Sequence, residues 1–310
     1  PKPQKKPLRN SVMLSQSGAF MITRLSQNPW LDPAYMLALG NQTDLTHGDM
    51  LGYFAALPGI ETLGIYIEGF KDLDGLAFAK AVRKAVLNGK QIVVYKSGRT
   101  APGQGGVMGH TASIAGGLTL FESVVRHAGA IVAEDFNSFD DLFYIAGVLQ
   151  GKKIGGRRIG AISGAGFEAV GMADNIESDS FALEMGALED ATVKKVEEIL
   201  VAKKLDQLVE VRNPSDINPG ADDEAHLQVS EVVGLDPTAP SVRALVESKL
   251  RPGHDISDPK STVHLMPPIV ERNDKPLIGI VDGGTLYDAM AAGLMDRGVC
   301  IFRNCARGTK

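Results

Sequence analysis

The feature that most restricts how this chain can fold is a rhythm in its hydrophobicity: from Ser11 onward, short apolar runs alternate with longer amphipathic stretches. VMLS leads into an amphipathic stretch over 18–27, YMLALG into one over 44–57, TLGIYIEG into one over 73–87, and IVVYKS into one over 117–127. Short runs rich in β-branched residues suit strands buried on both faces, and the stretches between them suit helices laid over those faces. The rhythm therefore predicts βα units joined into a parallel sheet covered on both sides. A last pair, 130–133 and 139–149, closes a first domain at Gln150. The polar segment GKKIGGRR separates it from a second run of the same kind that opens at IGAIS. Strands are expected there at 159–163, 181–183, 208–211, 242–246, 277–281 and 299–302. A helix is placed within 249–275 although Pro267 and Pro268 fall inside it, where prolines lack the amide donor and crowd the preceding turn. The expected class is α/β, with domains at 1–150 and 151–310, each a mostly parallel sheet with helices on both faces.

With 310 residues, 44% of them hydrophobic and 22% charged, the chain is long enough for two cores. Its net charge of -5 offers no basic footprint for nucleic acid. Cysteine occurs only at Cys300 and Cys305, without zinc spacing, which fits a reducing compartment and predicts no metal site. No apolar run approaches the roughly 20 residues of a membrane span, so a cytoplasmic protein without a membrane partner is expected.

Candidate chemistry sits where strands end. In SQSGAF, Ser15, Gln16, Ser17 and Gly18 join a strand to a helix, and the small residues leave N–H groups directed out of the helix N-terminus, a geometry that holds anions. A plain Ser-capped turn is the competing reading. ISGAGF repeats the arrangement with Ser163, Gly164, Ala165 and Gly166. It lacks the Lys-Ser or Lys-Thr pair of a Walker loop and does not match a dinucleotide fingerprint. Two such turns in two similar domains could bracket one phosphoryl group, each helix contributing about 0.3–1 kcal/mol at the surface and up to about 2 when partly buried.

The segment KSGRTAPGQGGVMGHTASIAGG carries seven glycines and is expected to be a long functional loop. His110 is its strongly nucleophilic side chain: one imidazole nitrogen can attack phosphorus while a carboxylate holds the other. Glu68, at the end of the expected strand in IYIEGF, is the candidate carboxylate, with a solvated strand-end acid as the alternative. Asp44 and Asp49 look like capping and surface groups, and His47, His127, His226, His254 and His264 receive no role.

SQSGAF, GNQTDL, IYIEGF, VVYKSGRT and GHTASIAG, in that order, resemble the NDP-forming acyl-CoA synthetases of the acetate- and succinate-CoA ligase type. ISGAGFEAVGMADNIE and NPSDINPGADDE are similar to the second ligase domain of that family. The resemblance implies two flavodoxin-like domains and a reversible reaction of acid, CoA and ATP giving acyl-CoA, ADP and phosphate through an acyl phosphate. It implies a phosphohistidine at His110, oriented by Glu68, with phosphate held by the Ser15–Gly18 and Ser163–Gly166 turns. CoA and ATP or ADP with Mg2+ would be bound largely by a CoA-binding domain and an ATP-grasp domain, which the sequence lacks. The chain is thus expected to be part of a longer enzyme or to work with partner subunits in an oligomer, taking a small carboxylic acid or acyl phosphate. The rival readings are a non-catalytic regulatory module of the same descent and a flavin electron carrier. The second is weakened by the lack of a Ser/Thr-rich flavin-phosphate loop.

Overall fold

The apolar runs of the first half become strands in a computed structural model, which describes residues 9–71, 73–111, 117–176, 183–218, 220–238, 241–245 and 256–309. The chain divides into two units, Pro1–Gln150 and Gly151–Lys310. The first contains β1 (Ser11–Ser15), β2 (Tyr35–Ala38), β3 (Thr62–Ile67), β4 (Gln91–Lys96) and β5 (Ile131–Val132). Its helices are α1 (Gly18–Gln27), α2 (His47–Ala56), α3 (Asp74–Leu87), α4 (Ala101–Thr111), α5 (Leu118–Ala128) and α6 (Phe136–Val148). The strands run parallel in the order β2-β1-β3-β4-β5.

Period-two alternation sorts the strand side chains between two layers. Val12, Leu14, Leu63, Ile65, Ile67, Ile92 and Val94 pack with Leu51 and Phe54 of α2, Phe78 and Val82 of α3, and Val125 of α5. Burying each such side chain contributes about 1.5–3 kcal/mol. On the opposite face Tyr66 and Tyr95 meet the aromatics of α1 and α6: Phe20 stacks on Tyr66 with centroids 4.0 Å apart, and Phe136 lies edge-on to Tyr95 at 5.1 Å. Gly64 of β3 leaves room for α6, since a Cβ there would stand 2.8 Å from the Phe143 ring.

The second unit contains β6 (Arg158–Ser163), β7 (Glu184–Met185), β8 (Ser215–Asp216), β9 (Ser241–Leu245), β10 (Leu277–Ile280) and β11 (Cys300–Phe302). Its helices are α7 (Gly166–Asp174), α8 (Asp190–Ala202), α9 (Asp223–Leu235), α10 (Thr262–Arg272), α11 (Asp288–Met295) and α12 (Cys305–Thr309). The order is β11-β10-β9-β6-β7, again parallel, with β8 added beside β6. Counted from β6, and leaving β8 aside, this is the strand permutation of the first unit. Ile162 packs on α8 and α9 through Val196, Leu200, Val229 and Val233, whereas Ala161, one residue earlier, packs with Met172 of α7.

Two expectations change, and the helix expected within 249–275 forms. No strand forms at 208–211: Leu208 N–H closes a turn onto Leu205 O, while Val209 and Val211 pack by their side chains against the core formed by α8 and α9. The pairing occurs further along, at β8. The strand expected at 181–183 is found at Glu184–Met185; residues 181 and 182 lie outside the described residues. Pro267 and Pro268 stand inside α10, which persists because Val263, Met266, Ile269 and Val270 form its buried face and Ser261 caps its start. Among the described residues, no helix is long and apolar enough to cross a membrane.

Helix α1 is tied to α6 through Asp140, which accepts from Asn28 Nδ2 at 2.9 Å and from Arg24 at 3.3 Å. Burial pushes the Asp140 carboxyl up to about 6, opposed by Arg24 and Asn28. A folded-state pKa above the unfolded value means that protonation favours the fold, so this contribution is full at low pH and lost as pH rises through about 6. Denaturant midpoints for the first unit should therefore fall between about pH 5 and about pH 7 in the wild type and change less across that window in Asp140→Asn.

Candidate functional site

The carboxyl ends of β1, β3 and β4 lie side by side, with Ser15 in register with Tyr66, and Ile67 with Lys96. Because β1 is flanked by β2 on one side and β3 on the other, the connections leaving β1 and β3 diverge here, the position at which open parallel sheets bind ligands. Ser15 Oγ accepts the Ser17 N–H at 3.1 Å and donates to Ser17 O at 2.6 Å, which folds the turn back on the strand end. Ser17 then caps α1 by accepting the Phe20 N–H at 3.2 Å, and Gly18 is the first helical residue.

Gln16 and Glu68 are brought together, in an arrangement that the sequence motifs do not reveal. Gln16 is buried; its N–H donates to Tyr66 O at 3.1 Å, and its Oε1 accepts the N–H groups of Glu68 at 2.8 Å and Gly69 at 3.2 Å. The Gln16 side-chain oxygen is thus directed at the Glu68 turn, and its backbone N–H at the end of β3. Lys96 Nζ donates to Glu68 O at 3.0 Å and Gln42 Nε2 to Gly69 O at 2.9 Å. All four backbone polar groups of Glu68 and Gly69 are thus held by buried side chains, where an unpaired one would cost about 1–3 kcal/mol. Burial lowers the Lys96 pKa, and the Glu68 charge opposes the shift.

Glu68 follows Tyr66 by two residues and so shares its face of the sheet, the side that carries α1. Tyr66 Oη donates to Glu68 Oε1 at 3.2 Å. Burial pushes the phenol up to about 12, keeping it a protonated donor at neutral pH. Sequence reasoning missed Lys96, Gln42 and Tyr66 as parts of this site. The available signals were a lysine closing the otherwise apolar run IVVY and a glutamine between a strand and a helix in GNQTDL.

The expected long loop around His110 is largely a helix. Gly98, at φ +74, turns the chain out of β4, and Thr100 then starts α4 by accepting the Gly103 N–H at 3.2 Å. Pro102 falls in the first turn, where a missing N–H costs no intrahelical bond. The glycines of 101–111 lower helix propensity but do not prevent a helix whose start is capped in this way. His110 lies in the last turn of α4; its side chain is outside the described residues, as are residues 112–116. Arg99 pairs with Glu122 of α5 at 2.7 Å, linking the start of α4 to the element beyond that segment.

In the second unit, Ser163 repeats the role of Ser15. Its Oγ accepts the Ala165 N–H at 2.9 Å and lies 3.0 Å from Ala165 O. Ala165 offers no capping side chain to α7, which starts at Gly166. The buried Glu168 carboxylate also bonds Ser163 Oγ. Asp216, in register with Ser163, has Oδ2 3.0 Å from where a Gly166 Cβ would stand, so the two approach closely. Asn213 fastens the loop before β8 by accepting from Ala161 N–H at 2.9 Å and donating to Ile159 O at 2.8 Å. Gly164 lies between Ser163 and Ala165 with open space beside it. Among the described residues, no group of three or more His, Cys, Asp or Glu is placed to hold a metal ion.

Together these features define a doubly wound α/β protein with Ser-turn helix N-termini at the carboxyl ends of its sheets. Residues 9–148 match the succinyl-CoA ligase like flavodoxin domain. The chain is 31% identical over 207 residues to an ADP-forming acetate–CoA ligase of Methanocaldococcus jannaschii, a match covering 66% of this chain and 28% of that protein. It is 27% identical over 230 residues to the alpha subunit of ADP-forming acetate–CoA ligase II of Pyrococcus furiosus, covering 74% of this chain and 48% of that one. The chain belongs to the NDP-forming acyl-CoA synthetase family, and it spans less than half the length of these curated relatives. Its fold matches that of the dinucleotide forming acetyl-coenzyme A synthetase 1 of Ca. Korarchaeum cryptofilum, solved in complex with phosphate and ADP. The TM-score is 0.82 at 21% identity, over 97% of this chain and 63% of that one.

Replacing Ser17 with alanine removes the cap of α1 and should cost about 0.5–2 kcal/mol of stability, read from the denaturant midpoint of the first unit.

Proposed function

We propose that this chain forms the phosphohistidine part of an NDP-forming acyl-CoA synthetase, with His110 carrying the phosphoryl group and Glu68 orienting its imidazole. The reading rests on one observation above all: a carboxylate at the switch point of the first sheet has both adjoining peptide units locked by buried side chains. His110 belongs to the helix that follows the neighbouring strand.

In this scheme phosphate displaces CoA from an acyl-CoA, giving an acyl phosphate and the free thiol. A ring nitrogen of His110 attacks phosphorus, the acyl oxygen–phosphorus bond breaks, and the carboxylic acid leaves. The nucleoside diphosphate then accepts the phosphoryl group, giving the triphosphate and restoring the imidazole. The carboxylate of Glu68 holds the other ring nitrogen and stabilises the positive charge that the ring acquires on attack. The Ser15–Gly18 turn, whose first helical residues carry the positive end of α1, holds phosphoryl oxygens through N–H groups, and the Ser163–Gly166 turn is assigned the same chemistry. CoA and the Mg2+-bound nucleotide are assigned to a CoA-binding and an ATP-grasp module, on the same polypeptide or on partner subunits of an oligomer, in the cytoplasm.

Phosphate transferred from labelled nucleotide in the presence of an ATP-grasp partner should be acid-labile and base-stable in the wild type and absent from His110→Asn. No label in either protein, with the partner shown to be active, would favour the non-catalytic regulatory reading. Glu68→Gln should slow labelling by roughly 10²-fold, the scale of a misplaced reacting group. An unchanged rate would make Glu68 a structural residue.

A further inference from the structure

The proposed mechanism places Glu68 and draws on the Gln42 bond to Gly69, but gives no part to the buried histidine that Gln42 also contacts. His47, at the start of α2, is fully buried, and Gln42 before it is 2% exposed. Gln42 Oε1 accepts the His47 N–H at 3.0 Å and lies 2.7 Å from His47 Nδ1. Gln42 Nε2 donates to Gly69 O at 2.9 Å. An amide oxygen can only accept, so the His47 proton sits on Nδ1 and the orientation of the amide is fixed from both ends. Burial lowers the His47 pKa to about 4, with the Tyr66 backbone opposing, so the ring is neutral in neutral solution. Gln42 itself holds a left-handed backbone at φ 53, an uncommon conformation for a non-glycine residue.

A buried histidine that only filled space would be replaceable by a hydrocarbon without this cost, and a glutamine at a strand–helix turn is ordinarily solvated. Here the two form a chain of donors and acceptors that ends on the carbonyl of Gly69, the residue after Glu68. We infer that Gln42, fixed by His47, is a positioning residue that sets the Glu68 carboxylate by anchoring the Gly69 carbonyl. It opposes Gln16, which grips the amide edge of the same turn. This inference rests on the proposed role of Glu68 in orienting His110, but the clamp itself can be tested without activity.

The test uses the full enzyme with its nucleotide- and CoA-binding modules and combines Gln42→Met with Glu68→Gln in a double-mutant cycle on the single-turnover rate of His110 labelling. Gln42→Met keeps the side-chain length and removes both polar atoms. It should slow labelling by about tenfold in the wild-type background, a fraction of the roughly 10²-fold effect of full misplacement, leave nucleotide KM unchanged, and slow it no further once Glu68 is Gln. An equal loss in both backgrounds overturns the inference, because a general structural role would act whatever residue stands at position 68. A second readout needs no catalysis and uses Gln42→Glu, which keeps an acceptor for His47 and, in its ionised form, loses the donor to Gly69. Amide hydrogen exchange at Glu68 and Gly69 should speed up in this variant while the strand amides of β1 and β3 stay protected. Unchanged exchange at both amides overturns the clamp. If Glu68→Gln alone leaves labelling unchanged, the assigned role of Glu68 fails, and exchange at these two amides still decides whether Gln42 holds the turn.

Discussion

Burial of a parallel sheet on both faces is the constraint from which the rest of this structure follows. In the middle of β1, β3 and β4 the backbone polar groups are paired in the ladders and most of the buried side chains are apolar, which leaves little room for chemistry there. Polar groups gather where the strands stop. At those ends the peptides that leave the ladder must be satisfied by something other than a neighbouring strand. Gln16, Gln42 and Lys96 do this for Glu68 and Gly69. The same bonds that prevent an unsatisfied buried peptide hold an acidic side chain in one place, so stability and positioning have a common origin here.

The two units answer this constraint in the same way and then diverge. Ser15 and Ser163 fold their turns with the same hydroxyl-to-backbone pattern, and each is followed by a helix beginning at a glycine three residues on. Around the first turn stand a buried lysine and a carboxylate held by backbone clamps. Around the second stand two carboxylates, Glu168 bonded to Ser163 and Asp216 alongside Gly166. Negative side chains at a helix N-terminus are favourable to the helix. They also make the second turn electrostatically unlike the first, which carries the cation.

Much of the architecture was legible in the sequence because it depends on periodicity. α1 begins at Gly18 and ends at Gln27 as expected, and β6 includes all of 159–163, since a buried strand and an amphipathic helix each leave a local pattern. The misses have a different origin. Val209 and Val211 have the composition of a strand but pack against helices, and the ladder forms instead at Ser215–Asp216, whose composition carries no strand signal. The glycine-rich stretch before His110 has a loop's composition, but Thr100 and Pro102 start a helix there. Both cases turn on contacts with residues distant in sequence or on a single cap, which a window average does not weigh.

What the sequence determined by itself is the parallel α/β architecture, the Ser-Gly turns at strand ends and the family pattern of its motifs. Each of these is written in consecutive residues. Only the tertiary structure decided what the motifs do for one another. Gln16, Gln42, Glu68 and Lys96 stand in four separate motifs spread across 81 positions of the chain, 16–96. The parallel register brings them to one strand edge, where the four backbone polar groups of Glu68 and Gly69 are paired by three buried side chains. That pairing arises only when β1, β3 and β4 are aligned and buried, so no reading of the residues in order can disclose it.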